Sequence, residues 1–148
     1  MIKITQEILH DPGNGIKGNC FSASIASLLH LDQKDIPVFD NDSDIKDGSW
    51  LRNTNKFLKK YGMMFLVMDY TSFKDIYNFC QVDGLYCELS GDSPRFNGVG
   101  HSCIGFNLEV IHDPHPSRAG IIPEYVGLFI PLEPWKFIEK SQEKINEN

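Results

Sequence analysis

The stretch that decides the fold covers residues 18–31 and reads GNCFSASIASLLHL. Phe21, Ile25 and Leu28 recur in it at helical spacing, with small alanine and serine residues between them. Small residues on several sides let neighbouring elements approach closely, so the pattern predicts a buried central helix. Cys20 stands at the start of this helix, directly after a glycine and an asparagine.

Downstream of this helix, the pattern changes from helical to strand-like. The sequence predicts a polar loop over 40–47, a second helix over 48–61, a third over 72–79 and a last helix from Pro134. Apolar runs of strand length predict strands at 63–68, 84–89, 101–106, 109–112 and 125–132. Helices first and antiparallel strands later predict an α+β fold. No repeat or linker divides the chain, so residues 1–148 are expected to form one domain with a frayed polar tail from about 140.

Composition limits the classes of partner. The 148 residues carry a formal net charge of −6 and are 41% hydrophobic, as in an ordinary soluble globular protein. This acidic balance offers no basic surface for nucleic acid or for an anionic membrane. The chain starts without an apolar signal core, and no run approaches the roughly eighteen apolar residues that span a bilayer. We therefore expect a cytoplasmic protein whose partner is a peptide, a protein or a small molecule; the sequence indicates no oligomeric state.

The position of Cys20 favours chemistry at its sulfur. A helix N-terminus carries partial positive charge and unpaired N–H groups, both of which favour the nucleophilic thiolate over the thiol. The same N–H groups can hold an oxyanion that forms beside the sulfur. The preceding segment, residues 12–18, is rich in glycine and lets the backbone approach a ligand closely. The alternative is that Cys20 is a small buried apolar residue of the core.

His101 and Asp113 supply the partners that a nucleophilic cysteine needs. His101 opens a predicted strand, and the next strand returns after a tight turn at Asn107 and Leu108. If the turn centres near Asn107, opposed residues have numbers that sum to about 214, which places Asp113 directly across from His101. Opposed side chains share a face, so the carboxylate can orient the imidazole while its other nitrogen serves the thiol. A register slip of one residue would break this arrangement.

The remaining cysteines allow other interpretations. Cys80, Cys87 and Cys103 lie in apolar segments and are expected in the core, although Cys103 shares a strand face with His101. The cysteines are too sparse for a secreted disulfide framework. A zinc site is the other alternative, because four potential ligands lie close in sequence: His101, Cys103, His112 and His115. Zinc sites usually take close ligand pairs from turns, whereas a strand would pair His101 with Cys103, so we expect neither metal nor cofactor. His112 should point away from Asp113.

The order of helix-start cysteine, strand-start histidine and next-strand aspartate resembles the papain-like cysteine peptidase superfamily, especially small bacterial members such as bacteriocin-leader peptidases. The resemblance covers roughly residues 12–132 as a pattern of elements. It implies a central N-terminal helix packed on an antiparallel sheet, with Cys20 as nucleophile, His101 as general base and acid, and Asp113 as orienter. Residues 112–117, HDPHPS, are also similar to uncharacterised bacterial and phage proteins, which supply no activity.

One position departs from the family pattern. Papain-like enzymes usually carry a glutamine a few residues before the cysteine, where its amide helps to hold the oxyanion. Here Asn14 stands near that position and Asn19 adjoins Cys20, so these two are the candidate oxyanion donors. Gln6 is too far upstream in sequence to be expected at the site.

Polar residues on the predicted loops are candidates for binding substrate, because binding residues gather on loops. They are Ser93, Arg95 and His115. Two functions follow. The first is a cysteine-dependent hydrolase or transferase that acts on a peptide, amide or isopeptide bond through a Cys-His-Asp triad. The second, motivated by the missing glutamine and by the arginine and histidine residues on the loops, is a catalytically weak or inactive papain-like module that captures a small metabolite or a partner protein in the same cleft.

Overall fold

The structure, a computed structural model, describes residues 1–39 and 47–139. The predicted tail from about 140 and nearly all of the predicted loop over 40–47 lie outside these ranges. The main helices are α1 (Cys20–Leu29), α2 (Ser49–Leu58) and α3 (Tyr70–Cys80). The strands are β1 (Met63–Asp69), β2 (Tyr86–Asp92), β3 (Gly100–Phe106), β4 (Glu109–His112) and β5 (Tyr125–Pro131). Residues 134–139 are also helical.

The five strands form one antiparallel sheet in the order β1-β5-β2-β3-β4. Helix α1 packs against β3 and β2, α2 against β1, and α3 against β1 and β5. The α+β class and the antiparallel sheet predicted from the sequence are therefore confirmed. Within the described ranges, no helix combines the length and the apolar character needed to cross a membrane.

Helix α1 is held by apolar contacts along its length. Every residue from Cys20 to Ser27 is buried, which confirms the prediction of a central helix. Phe21 packs its ring against Phe65 of β1 and Trp50 of α2, at centroid distances of 5.3 and 5.6 Å. Aromatic contacts at these distances stabilise the fold beyond the contribution of the buried area of each ring. Because Phe21 follows Cys20, this cluster fixes the start of the helix relative to the sheet.

Helix α3 differs from the prediction at its C-terminal end. Cys80, expected in the core, is the last residue of α3 and is exposed. The neighbouring Phe79 is 89% exposed, so this turn of the helix lies at the surface although its residues are apolar. Cys87 and Cys103 are fully buried, as predicted. Cys80 is therefore an exposed reference thiol on the same chain.

Gly127 allows β5 to pass close to the core, and its replacement by alanine should destabilise the fold. A Cβ atom at this position would lie 2.2 Å from Cζ of Phe65 and 2.7 Å from Oε2 of Glu88. Overpacking of this kind costs about 1–3 kcal/mol. We expect Gly127→Ala to lower the free energy of unfolding by that amount in urea titrations. Gly100→Ala is the matched control, since a Cβ there meets nothing within 4 Å; equal stability of the two variants would contradict the steric explanation.

Candidate active site

A cavity of about 600 Å³ opens beside the start of α1. Both Cys20 and His101 line it. Cys20 is the first residue of α1, forms no disulfide and is 9% exposed. The structure thus brings the predicted nucleophile and the predicted base, which lie far apart in sequence, to one cavity.

Asp113 holds the imidazole of His101 from behind. Nε2 of His101 lies 2.6 Å from Oδ1 of Asp113, and both side chains are buried. The carboxylate also accepts the backbone N–H groups of His115, at 2.7 Å, and Gly120, at 2.8 Å. Arg95 Nη1 approaches Oδ2 at 3.3 Å. With Asp113 ionised, Nε2 carries the proton and donates it, which leaves Nδ1 as the ring nitrogen for proton exchange.

The contact between His101 and Asp113 arises by a different register from the predicted one. The pairing gives Phe106↔Glu109 and Gly105↔Val110, whose numbers sum to 215 rather than 214. That register alone would put Asp113 on the opposite face from His101. A β-bulge between Ile104 and Gly105 adds one more residue. Pairing beyond the bulge therefore returns Asp113 to the face of His101, as its diagonal neighbour.

Burial and hydrogen bonding act on the two ionisable groups of this pair. Burial lowers the pKa of His101, although the hydrogen bond and the charge of Asp113 oppose this shift. For Asp113, burial favours the neutral acid, but the hydrogen bonds from His101, His115 and Gly120 outweigh it and the pKa falls below its usual value. At neutral pH the pair is therefore a neutral imidazole beside a carboxylate, which is the state required of a general base and its orienter.

The lowered pKa of Asp113 should make stability depend on pH in the acid range. Because the folded-state pKa is depressed, the stabilisation is present above the unfolded-state pKa of about 4 and is lost as pH falls through the folded-state pKa. We expect a loss of up to ~1.4 kcal/mol per pH unit from this group below about pH 4. Urea titrations at several pH values should give a flatter acid profile for Asp113→Asn than for the wild type. Identical acid profiles for the two proteins would contradict the lowered pKa assigned to Asp113.

The two predicted oxyanion donors lie elsewhere. Asn14 is exposed, and its amide donates to Asp11 at 2.6 Å instead of facing the cavity. Asn19 is buried, but its Oδ1 accepts from the backbone N–H of Ile8 at 2.9 Å. Its amide nitrogen donates to the amide oxygen of Gln33 at 2.7 Å. Neither asparagine is among the lining residues of the cavity within the described part of the chain.

Gln6 lines the cavity together with Cys20, although its distance from Cys20 in sequence predicts that it lies away from the site. The chain reverses between Asp11 and Ile16, which pair through backbone hydrogen bonds of 2.8 and 2.9 Å. This reversal brings the Nε2 atom of Gln6 within 3.1 Å of a Cβ placed on Gly18, two residues before Cys20. One N–H of that amide donates to a backbone carbonyl, of Ile8, at 2.8 Å. Its second N–H leaves Gln6 able to donate to a ligand oxygen.

The predicted substrate-binding residues lie together. Ser93, Arg95 and His115 all line the cavity. Ser93 is buried and its hydroxyl accepts from the backbone N–H of Arg95 at 3.3 Å, which shapes the loop between β2 and β3. Arg118 lies outside this cavity and donates to the backbone carbonyl of Asp113 and the hydroxyl of Thr5.

The four suggested zinc ligands are not brought together. His112 contacts the backbone carbonyl of Ile4, with Nε2 at 2.8 Å, and so points away from Asp113 as predicted. Among the described residues, the group that could hold a metal is His101, Cys103 and Asp113, whose ligand atoms lie within 4.8 Å of one another. Burial raises the pKa of the Cys103 thiol, so this side chain is a neutral thiol in the metal-free protein. The hydrogen bond between His101 and Asp113 joins two of the three groups of this cluster.

A buried polar chain joins helix and sheet beneath the cavity. Ser102, next to His101, donates its hydroxyl to Oε1 of Glu88 at 2.6 Å. It lies 3.0 Å from the hydroxyl of Ser24, one turn after Cys20. All three side chains are buried. Because satisfied buried networks rigidify their surroundings, this chain fixes the start of α1 relative to β3. The sequence signal for it is an acidic residue within an otherwise apolar strand.

The chain matches no family model, no curated protein and no solved structure. The interpretation of the site therefore rests on its own residues: a helix-start thiol, an imidazole with a buried carboxylate partner, and a glutamine amide around one cavity.

Proposed function

We propose that the protein is a papain-like cysteine hydrolase or transferase that acts on an amide, peptide or isopeptide bond. The observation that carries this proposal is the cavity shared by Cys20 and His101, with Asp113 hydrogen-bonded to His101 at 2.6 Å. A nucleophile, a base and an orienting group in this relation are the parts that nucleophilic catalysis requires.

The proposed reaction has two steps. The sulfur of Cys20 attacks the carbonyl carbon of the substrate while Nδ1 of His101 takes the thiol proton. The carbon–nitrogen bond then breaks, His101 returns the proton to the leaving amine, and a thioester remains on Cys20. A water, or an amine in the transferase case, then attacks the thioester carbonyl while His101 takes its proton. The carbon–sulfur bond breaks, the acyl product leaves, and His101 returns the proton to the sulfur of Cys20. The backbone N–H groups at the start of α1 and the amide of Gln6 hold the oxyanion of both tetrahedral intermediates.

The alternative of an inactive binding module rests on two reasons, the absence of a glutamine shortly before the cysteine and the arginine and histidine residues on the loops. The first of these reasons is weakened. Gln6 carries the expected amide group and lines the cavity together with Cys20.

Chloroacetamide labelling followed by peptide mapping tests the proposal. We expect Cys20 to react much faster than Cys80, although Cys80 is the exposed thiol. His101→Ala should abolish this preference, because the imidazole then no longer accepts the thiol proton. Equal labelling of all four cysteines, or no labelling at Cys20, would sink the proposal.

Gln6→Ala should separate oxyanion stabilisation from thiol reactivity. Loss of one oxyanion donor lowers kcat about 10²–10³-fold. Alkylation by chloroacetamide forms no oxyanion, so the labelling rate of Cys20 should stay near the wild-type value. Peptide hydrolysis by mass spectrometry and the labelling rate are the two measurements. Asn14→Ala is the control and should leave both unchanged; a larger loss of kcat in this control would restore the original asparagine assignment.

A further inference from the structure

Cationic and imidazole side chains line the cavity. Lys17, Arg95 and His115 all line it, whereas Glu88 is the acidic residue among the lining residues described. This is a local excess of positive charge in a chain whose formal net charge is −6. Clefts lined by charge of one sign concentrate ligands of the opposite sign.

Hydrogen bonds hold the guanidinium group of Arg95 in place, but they do not use all of its N–H donors. Its Nη1 lies 3.3 Å from Asp113 and donates to the hydroxyl of Ser117 at 2.9 Å. Its Nη2 is buried and has no hydrogen-bond partner among the described residues. A buried guanidinium nitrogen without a partner is costly, and a carboxylate oxygen is the partner that fits it best. The guanidinium is thus positioned by the protein while one of its nitrogens remains for a ligand.

His115 adds a neutral donor beside Arg95. The backbone N–H of Ser117 donates to Nδ1 of His115 at 3.1 Å, so the ring proton sits on Nε2. Burial and the positive charge of Arg95 lower the pKa of His115, which keeps the ring neutral at pH 7. The formal charge of the lining residues is therefore +1, from Lys17 and Arg95 against Glu88, and the carboxylate of Asp113 beside Arg95 offsets part of it. So small a positive charge suits the single negative charge of a carboxylate better than a doubly charged phosphate.

Arg95 and His115 lie close to the His101–Asp113 pair, whose imidazole would protonate the leaving group. In the proposed reaction, His101 must protonate the leaving amine, so that amine sits next to the imidazole. The rings of His101 and His115 are 6.3 Å apart, and Arg95 contacts the aspartate that holds His101. A negative group bound by Arg95 and His115 therefore belongs to the leaving amine rather than to the acyl part.

We infer that the amine released from the substrate carries a carboxylate, as a free amino acid or the C-terminal residue of a peptide does. This inference rests on the proposed function and names its substrate class. Arg95 binds the carboxylate through Nη2, His115 donates from Nε2, and the scissile amide then lies between Cys20 and His101.

Two matched pairs of thiol reagents test this. Iodoacetate and iodoacetamide differ in one carboxylate, as do 3-maleimidopropionate and N-ethylmaleimide, which reach further. We expect the acid-to-neutral rate ratio at Cys20 to exceed that of N-acetylcysteine by roughly tenfold for at least one pair, as expected for one nearby charge. Arg95→Gln should remove this excess. Because both reagents of a pair meet the same thiolate, any disturbance of Asp113 in the variant cancels in the ratio.

Arg118→Gln is the charge-matched control. It removes one positive charge close to Asp113 but outside the cavity, so the ratio should remain at the wild-type value. A ratio equal to that of N-acetylcysteine for both pairs in the wild-type protein, or equal loss in Arg95→Gln and Arg118→Gln, would overturn the inference.

The experiment also separates this inference from the proposed function. If Cys20 reacts with neither the charged nor the neutral reagents, the proposed nucleophile fails. If it reacts rapidly with both and the ratio is ordinary, the nucleophile stands and the carboxylate site fails. Should Arg95→Gln not fold, the wild-type protein gives a second measurement: added salt should slow the anionic reagents far more than the neutral ones, and equal slowing would count against the site.

Discussion

Replacement of Cys20 by serine is expected to abolish measurable peptide hydrolysis, with a fall in kcat on the order of 10⁴-fold or more. A serine hydroxyl gives up its proton far less readily than a thiol, so the proposed transfer of that proton to Nδ1 of His101 becomes much less favourable. The change is nearly isosteric at a buried position, so the fold should be retained. Hydrolysis of a defined peptide mixture, followed by mass spectrometry, measures the effect, and circular dichroism checks the fold.

The control for this variant is Cys80→Ser. Cys80 is an exposed free cysteine at the end of α3, outside the lining of the cavity. We expect its replacement to leave hydrolysis unchanged. Unchanged hydrolysis in Cys20→Ser, with the fold intact, would exclude a thioester mechanism at Cys20.

Asp113→Asn should lower both activity and stability. The carboxylate accepts from His101, His115 and Gly120, and an amide presents its NH₂ group to at least one of these donors. The loss of orientation and of the correct tautomer at His101 should lower kcat by roughly 10³–10⁴-fold. The loss of the buried charge beside Arg95 should lower the free energy of unfolding by about 3–5 kcal/mol.

These two effects of Asp113→Asn are measured separately, by peptide hydrolysis at a urea-free pH 7 and by urea unfolding. Asp92→Asn is the matched control, because Asp92 ends β2 and is exposed. We expect the control to change stability by less than about 0.5 kcal/mol. A folded Asp113→Asn variant with wild-type kcat would remove Asp113 from the triad.

The site was predicted from local signals where these were strong. The start of α1 at Cys20 follows from helical spacing, and β4 runs from Glu109 to His112, as predicted. The burial of Cys80 was predicted wrongly from its apolar neighbours, because the local pattern cannot tell which turn of a helix lies beyond the edge of the core. Gln6 was missed for a similar reason. Its distance from Cys20 along the chain says nothing about a reversal that folds the intervening residues back.

The sequence by itself determined the elements of this protein, the α+β class and the order of thiol, imidazole and carboxylate along the chain. These depend on spacing and on residue type, which act over a few neighbouring positions. Only the tertiary structure decided that a bulge between Ile104 and Gly105 returns Asp113 to the face of His101, and that Gln6 rather than Asn14 lines the cavity with Cys20. Both outcomes depend on hydrogen bonds and packing between distant segments, where a shift of one residue reverses the direction of a side chain.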